Sequence, residues 1–136
     1  MDEKRIRPIG HVRSPLKSLD QAPPQGDEGA PDAWIELRED VLPGIDGIAP
    51  GQELIVLTFF HKARRDVLKV HPRGDATRPI SGVFATRSPD RPNPIGLHRV
   101  RVIEISPGRL KVGPLEAIDG TPVVDIKPAL GAIEDR

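Results

Sequence analysis

The stretch Gly82-Val-Phe-Ala-Thr-Arg-Ser-Pro-Asp-Arg-Pro-Asn-Pro-Ile-Gly96 holds the densest set of side chains able to do chemistry. Arg87, Ser88, Asp90, Arg91 and Asn93 offer guanidinium forks, a hydroxyl, a carboxylate and an amide in close succession. Pro89, Pro92 and Pro94 fix φ among them, which excludes a helix and an interior strand. The expectation is a rigid loop whose polar groups have little entropy left to lose on binding; its bland counterpart is a proline-braced surface connection. His61 is a second candidate. It follows the apolar run Leu54-Ile-Val-Leu-Thr-Phe-Phe60, where a strand mouth presents a side chain to a pocket, although a packed, hydrogen-bonded histidine fits the same position.

Several chemistries are excluded or disfavoured. Cysteine is absent, which removes disulfides and thiolate metal sites. No two glycines stand two apart and no Gly-Lys-Ser/Thr occurs, so neither a dinucleotide fingerprint nor a P-loop is present. His11, His61, His71 and His98 lack the helical spacing of a zinc site, and no metal is expected. Ser88 lacks the Gly-x-Ser-x-Gly elbow of a nucleophilic serine. The aromatics are only Trp34, Phe59, Phe60 and Phe84, a poor basis for a base-stacking platform. The N-terminus carries no apolar signal core, and no apolar run approaches the eighteen or so residues of a membrane span, so a cytoplasmic location without membrane contact is expected.

Charge is balanced overall but segregated along the chain. Residues 19–60 carry nine acids and one base, whereas residues 61–101, which surround the proline loop, carry ten bases and three acids. A zero net charge argues against a simple nucleic-acid binder. The basic block can still give one face a positive potential, unless the acidic segment folds across it and neutralises it.

The elements that must position these groups are short. With 136 residues one domain is expected, and its 16 prolines and 13 glycines cut the chain into strand-length apolar runs. Strands are predicted at Ile6–Val12, Trp34–Leu37, Leu54–Phe60, Gly82–Thr86, Leu97–Ile105, Arg109–Val112, Leu115–Ile118 and Val123–Lys127, and Val67–Val70 reads as a short strand or a helical turn. Leu54–Phe60 is expected to be central and buried on both faces. A bulge is expected near Val102-Ile103, where the alternation slips. Residues 21–32 have no period and form a long loop; residues 41–50 are loop or a turn of helix. The fold class is therefore mainly β, a small barrel or sandwich with long loops and little helix.

The segment Gly82 to Leu97, together with Asp119-Gly-Thr-Pro-Val-Val-Asp-Ile-Lys-Pro128, closely resembles the two signature segments of the TsaA-like family, the tRNA methyltransferases called TrmO. Ile9-Gly-His-Val-Arg-Ser-Pro15 and the Phe60-His61 strand end match as well, in the same order. The resemblance implies one TsaA-like β-barrel domain over residues 1–136, S-adenosyl-L-methionine as cofactor, and a homodimer with cofactor sites near its interface. The implied substrate is tRNA, methylated at the N6 nitrogen of N6-threonylcarbamoyladenosine beside the anticodon. Carried over by position, the cofactor neighbourhood comprises Gly26, Asp27, Glu28, His61, Lys62, Arg87, Leu97, Gly113, Pro114, Leu115 and Glu116. Arg87 and Arg91 suit carboxylates of cofactor or threonyl group, because guanidinium pairs bidentately with such anions, and Arg91 and Asn93 are the implied substrate contacts.

Methyl transfer to nitrogen needs alignment, exclusion of water and an acceptor for the departing proton. His61 and Asp125 are the expected acceptors, Asp125 because it alternates away from Val124 and Ile126; its structural counterpart is an ion pair with Arg99 or Arg101. The chain departs from the family pattern in having Pro23-Pro24-Gln25 in place of Pro-Arg-Gln, and Asp90 in place of an aromatic or apolar residue. Two other functions fit the same residues: a barrel that binds RNA or a nucleotide without catalysis, and a methyltransferase acting on another small substrate.

Overall fold

Strands that alternate apolar and polar side chains leave one face of each to be buried, and closing a sheet on itself buries those faces while removing exposed edges. A computed structural model of the chain describes residues 3–18, 21–23 and 29–131. Its strands are β1 (Gly10–Arg13), β2 (Ala33–Leu37), β3 (Glu53–Phe59), β4 (Lys69–Val70), β5 (Ser81–Gly82), β6 (Ile95–Ser106), β7 (Arg109–Gly113) and β8 (Pro122–Pro128). Six of them close an antiparallel barrel in the order β1-β2-β7-β6-β3-β8, with β8 returning to β1. The remaining two, β4 and β5, form a separate ribbon within the long excursion between β3 and β6. The mainly β barrel expected from the sequence is the fold observed. Among the described residues there is no α-helix, only short 3₁₀ turns such as Glu39–Ile45, and no helix is long and apolar enough to cross a membrane.

The barrel is filled by the inward phase of each strand. Val12, Ile35, Leu54, Val56, Val100, Val102, Leu110, Val112 and Val123 are buried there, and most are β-branched residues that suit a pleated surface. At one end, Ile45 and Ile48 of the segment that follows β2 pack against this core. Near the other end, Leu115 and Ala117 supply further buried side chains.

The structure redraws several elements. β3 is buried on one face only, its pattern alternating from Leu54 to Thr58, because a barrel strand has an inside and an outside. Gly82–Thr86 is not a strand: after Gly82 the chain turns through a 3₁₀ segment, Val83–Ala85, and the carbonyls of Val83 and of Thr86 just beyond it accept from Arg91. Leu115–Ile118 is not a strand either, although its apolar residues are buried; the chain there runs in irregular conformation past a cis Gly113–Pro114 bond. The predicted slip in β6 is present, as a register shift between Val102 and Glu104 against β7.

The acidic and basic blocks meet in part. Glu53 of β3 binds both Arg99 and Arg101 across the β3–β6 ladder, at 2.8 and 3.0 Å, and these hydrogen bonds and charges hold its carboxyl below the ordinary glutamate value. Arg64 pairs with Asp66, and Arg78 with Asp75. Four of the ten bases of residues 61–101, Arg64, Arg78, Arg99 and Arg101, are thus paired with carboxylates.

The Asp-Gly-Thr-Pro segment of the second signature ties β1 to the entry of β8. Asp119 Oδ1 accepts the Ser14 N–H at 2.9 Å and Oδ2 pairs with Lys17 at 3.2 Å, while the backbone N–H groups of Asp119 and Gly120 donate to Leu16 and Val12. Gly120 stands at φ +86°, a conformation that disfavours any side chain. The Ser14 N–H, then Lys17, hold the Asp119 carboxyl below its ordinary value. A carboxylate whose pKa is depressed on folding stabilises the protein above its unfolded pKa, and that contribution fades as pH falls through the folded value. Asp119→Asn should therefore shrink the loss of stability between pH 7 and pH 3 in urea denaturation; an unchanged pH dependence would show that Asp119 contributes nothing to acid unfolding.

Candidate active site

A cavity of about 1050 Å³ is lined by the first signature segment, the end of β3 and residues 116–118, which precede the second signature segment. Its apolar wall includes Leu57, Phe60, Ile95, Leu97 and Ile118, and its polar groups include Arg87, Ser88, Asp90, Arg91 and Glu116. The turn His71–Gly74 and the short piece Ala22–Pro23 complete it. Register explains the mixed lining. β3 and β6 pair with Leu57 opposite Leu97 and Phe59 opposite Ile95, all in the outward phase, whereas Thr58, Gly96 and His98 lie in the inward phase. The cavity spans both, reaching from the barrel end onto the outer surface of β6, where Ile95 and Leu97 remain over 40% exposed.

The proline loop is fastened by its neighbours before any ligand is present. Asp90 accepts the Arg64 N–H at 2.8 Å, and the Arg91 N–H donates to the Arg64 carbonyl at 3.0 Å. Arg65 donates to the carbonyl of Pro92 and to Asn93 Oδ1. The Arg91 guanidinium turns inward and donates to the carbonyls of Val83 and Thr86. Asp90 is thus an anchor for the segment after β3, a role that an apolar side chain could not fill. Asn93 Oδ1 and one terminal nitrogen of Arg91 are engaged, whereas the buried Arg91 Nε has no hydrogen-bond partner among the described residues, and Arg91 borders the cavity. Arg87 differs. It is exposed, borders the cavity, and has no hydrogen-bond or ion-pair partner among the described residues.

The structure brings together Arg87, Arg91, Leu97 and Glu116 of the residues singled out from the sequence. It sets others apart from the cavity lining. His61 and Lys62 lie exposed on the turn after β3; partial desolvation, then the Lys62 charge, lower the histidine pKa, which leaves the ring neutral at pH 7. Asp125 sits on β8 beside Lys127, with which it pairs at 2.9 Å, and not with Arg99 or Arg101, which are taken by Glu53. Gly113 and Leu115 pack inside the protein, and the Leu115 N–H donates to the Pro31 carbonyl. Pro114 follows Gly113 through a cis peptide bond. Gly26, Asp27 and Glu28 lie outside the described residues.

One group at the site was not picked out from the sequence. His98 is buried, its Nδ1 2.5 Å from Glu116 Oε1 and its Nε2 2.7 Å from Thr58 Oγ1. The Phe60 ring meets it edge-on, with centroids 5.8 Å apart. A signal was present: His98 is in phase with Val100 and Val102, the apolar side of β6, where a polar residue must find a partner inside the protein. What the sequence could not supply is that partner, Glu116, eighteen positions away on an irregular segment.

A family profile described as the tRNA-methyltransferase O N-terminal domain matches residues 11–134. The chain belongs to the TrmO N-terminal domain family. Among curated relatives it is 45% identical over 126 residues to a probable S-adenosyl-L-methionine-binding protein of Methanothermobacter thermautotrophicus, covering 93% of this chain and 90% of the relative. It is 44% identical over 122 residues to an S-adenosyl-L-methionine-binding protein of Archaeoglobus fulgidus, covering 90% and 86%. The crystal structure of TrmO from Pseudomonas aeruginosa superposes with a TM-score of 0.76 at 27% identity, over 99% of this chain and 61% of that one. The chain thus spans about three fifths of the solved TrmO chain. In the terms of the family, the first signature forms the fastened loop and the cavity wall, and the second ties β1 to β8.

Gly96 is the closest approach in the site. A Cβ there would stand 2.5 Å from both Phe60 Cζ and Thr58 Oγ1, and 2.7 Å from His98 Nε2. Forcing a methyl group into such packing costs roughly 1–3 kcal/mol. Gly96→Ala should lower stability by about that amount and disturb the Thr58–His98 bond; chemical denaturation and the histidine ring resonances check this, and wild-type values for both would show that the neighbours yield freely.

Proposed function

We propose that this protein is an S-adenosyl-L-methionine-dependent methyltransferase whose cofactor occupies the cavity beside the first signature segment, and that its substrate is tRNA. The observation that carries the reading is the donor set of that cavity. It combines an unpartnered guanidinium, Arg87, with a carboxylate, Glu116, and an apolar wall that includes Leu57, Phe60 and Leu97. A zwitterionic nucleoside presents the complementary features: a carboxylate, hydrogen-bond donors and a flat apolar base. The relatives named for binding this cofactor, aligned over nine tenths of the chain, support the same reading.

When bound, S-adenosylmethionine supplies an electrophilic methyl group on sulfur. The chain's own contribution is binding, orientation and exclusion of water. Arg87 offers a bidentate contact to a carboxylate, and Leu57, Phe60 and Leu97 exclude solvent from the apolar part of the ligand. The fastened proline loop holds this arrangement in advance, which lowers the ordering cost of binding. His61, neutral at pH 7, and Asp125 remain the proposed acceptors for the proton released at the attacking nitrogen, the substrate closing the gap between them and the cavity.

The finer assignment is methylation at N6 of N6-threonylcarbamoyladenosine beside the anticodon, supported by the family's description as a tRNA methyltransferase and by the three arginines, Arg73, Arg87 and Arg91, that border the cavity. We also propose a homodimer, supported by apolar side chains left uncovered beside the cavity: Ile95, Leu97 and, at 82% exposure, Phe84.

Calorimetry with S-adenosylmethionine should show binding, and Arg87→Ala should weaken it by about 1.5–3 kcal/mol, the worth of a charge-assisted hydrogen bond. A folded Arg87→Ala protein with wild-type affinity would remove Arg87 from the site, and absence of binding by the wild type would remove the enzyme reading. Incubation with methyl-labelled cofactor and bulk tRNA, followed by nucleoside analysis, should place label on threonylcarbamoyladenosine; label in another nucleoside would overturn the stated specificity.

A further inference from the structure

We infer that His98 is a positioning residue of the cavity: held by Thr58, it fixes the Glu116 carboxylate so that the free oxygen receives an O–H or N–H donor of the ligand. The inference rests on the cavity being the cofactor site. It begins from a cost. An imidazole with 1% of its side-chain surface exposed and a carboxylate with 12% exposed are expensive to remove from water unless each is hydrogen-bonded. Both are. Glu116 Oε1 lies 2.5 Å from His98 Nδ1, and Thr58 Oγ1 lies 2.7 Å from Nε2.

The order of the chain follows from what each atom can do. An ionised carboxylate only accepts, so the proton between Glu116 and His98 belongs to Nδ1. In the neutral ring Nε2 then accepts from the Thr58 hydroxyl, which fixes the tautomer. Gly96 and the edge-on Phe60 ring close the space around the imidazole, so the ring has no room to rotate away. Glu116 is thereby pinned through one oxygen. Its other oxygen, Oε2, has no partner among the described residues, and Glu116 borders the cavity.

An acceptor fixed in this way selects a donor. The shared chemistry is an O–H or N–H group, and S-adenosylmethionine has three sources of it, the ribose hydroxyls, the adenine amino group and the α-ammonium. His98 touches none of them in this arrangement; it acts through Glu116. The pinned carboxylate has lost its side-chain entropy before binding, so the benefit of His98 appears as ligand affinity as well as stability.

The test measures binding of S-adenosylhomocysteine and of 5′-methylthioadenosine, which lacks the amino-acid portion, to the full chain and to variants whose melting temperatures show them folded. His98→Leu, which removes the donor but keeps bulk, should weaken S-adenosylhomocysteine about 10-fold or more, the loss expected for a charged hydrogen bond that is no longer pre-organised. His98→Asn places an amide near the Nδ1 position and should recover most of the affinity. Glu116→Gln should weaken binding comparably, and adding His98→Leu to it should cost little more, because the two act as one unit. In the wild type, the Nδ1-bound proton of His98 should be observable by nitrogen-15 NMR, and its signal should move in Glu116→Gln. Equal losses for both ligands would place the donor on the nucleoside; a loss confined to S-adenosylhomocysteine would place it on the ammonium, and either pattern supports the proposal. A folded His98→Leu with wild-type affinity would overturn it while leaving the cofactor site intact. So would equal weakening by His98→Leu and His98→Asn, or full additivity with Glu116→Gln. Wild-type protein that binds neither ligand would overturn both this inference and the functional reading beneath it.

Discussion

The register between β3 and β6 is the constraint on which the rest of the molecule depends. Seven consecutive pairs, from Glu53↔Arg101 to Phe59↔Ile95, set which side chains face the barrel interior and which face the outside. Because side chains alternate with period two, a slip of one residue would send His98, Val100 and Val102 into solvent and bury Arg99 and Arg101. The same register makes Thr58 the neighbour of His98 and puts Gly96 beside them both. It also lines up Leu57 with Leu97 on the outer surface, where they form part of the cavity wall. Glu53 reinforces the pairing at its far end by binding both outward arginines.

From that frame the site acquires its two kinds of wall. The inward phase contributes Thr58 and His98, which form a polar chain with Glu116 of the irregular segment after β7, and the outward phase contributes apolar surface. The excursion between β3 and β6 then folds back over the strand ends, and its contacts are mostly to backbone: Arg65 to the Pro92 carbonyl, Arg91 to the carbonyls of Val83 and Thr86. Backbone carbonyls that belong to no ladder need donors, and arginine supplies several in a fixed fork. Prolines contribute no backbone N–H to the loop, so the side chains of Asp90 and Asn93 take up donors from Arg64 and Arg65. Much of the loop's polarity is therefore spent on holding its own shape, whereas Arg87 has no partner among the described residues.

A methyltransferase of this architecture has no glycine-rich turn over a helix N-terminus to hold its cofactor. The cavity instead offers a cation, a carboxylate and apolar surface supplied by the first signature segment, the end of β3 and residues 116–118. Such a site depends on mutual placement of distant parts of the chain more than on any local motif. Residues 57–60, 85–97 and 116–118 lie apart in sequence, and barrel closure brings parts of each to one cavity.

The sequence by itself determined the mainly β class, the approximate strands, the bulge in β6 and the rigidity of the proline loop, because these follow from local properties: alternation, β-branching and fixed φ. It also located the signature segments, since their residues are contiguous. It could not distinguish Gly82–Thr86 and Leu115–Ile118 from strands, because short apolar runs look alike whether they form a ladder or are buried as irregular chain. Nor could it assign partners. Whether Arg91 or Arg87 was left free, whether Asp125 met Arg99 or Lys127, and which carboxylate met His98 were decided by barrel closure. Ion pairs and hydrogen bonds form over about 3 Å, and only the tertiary fold sets distances on that scale between residues eighteen or more positions apart.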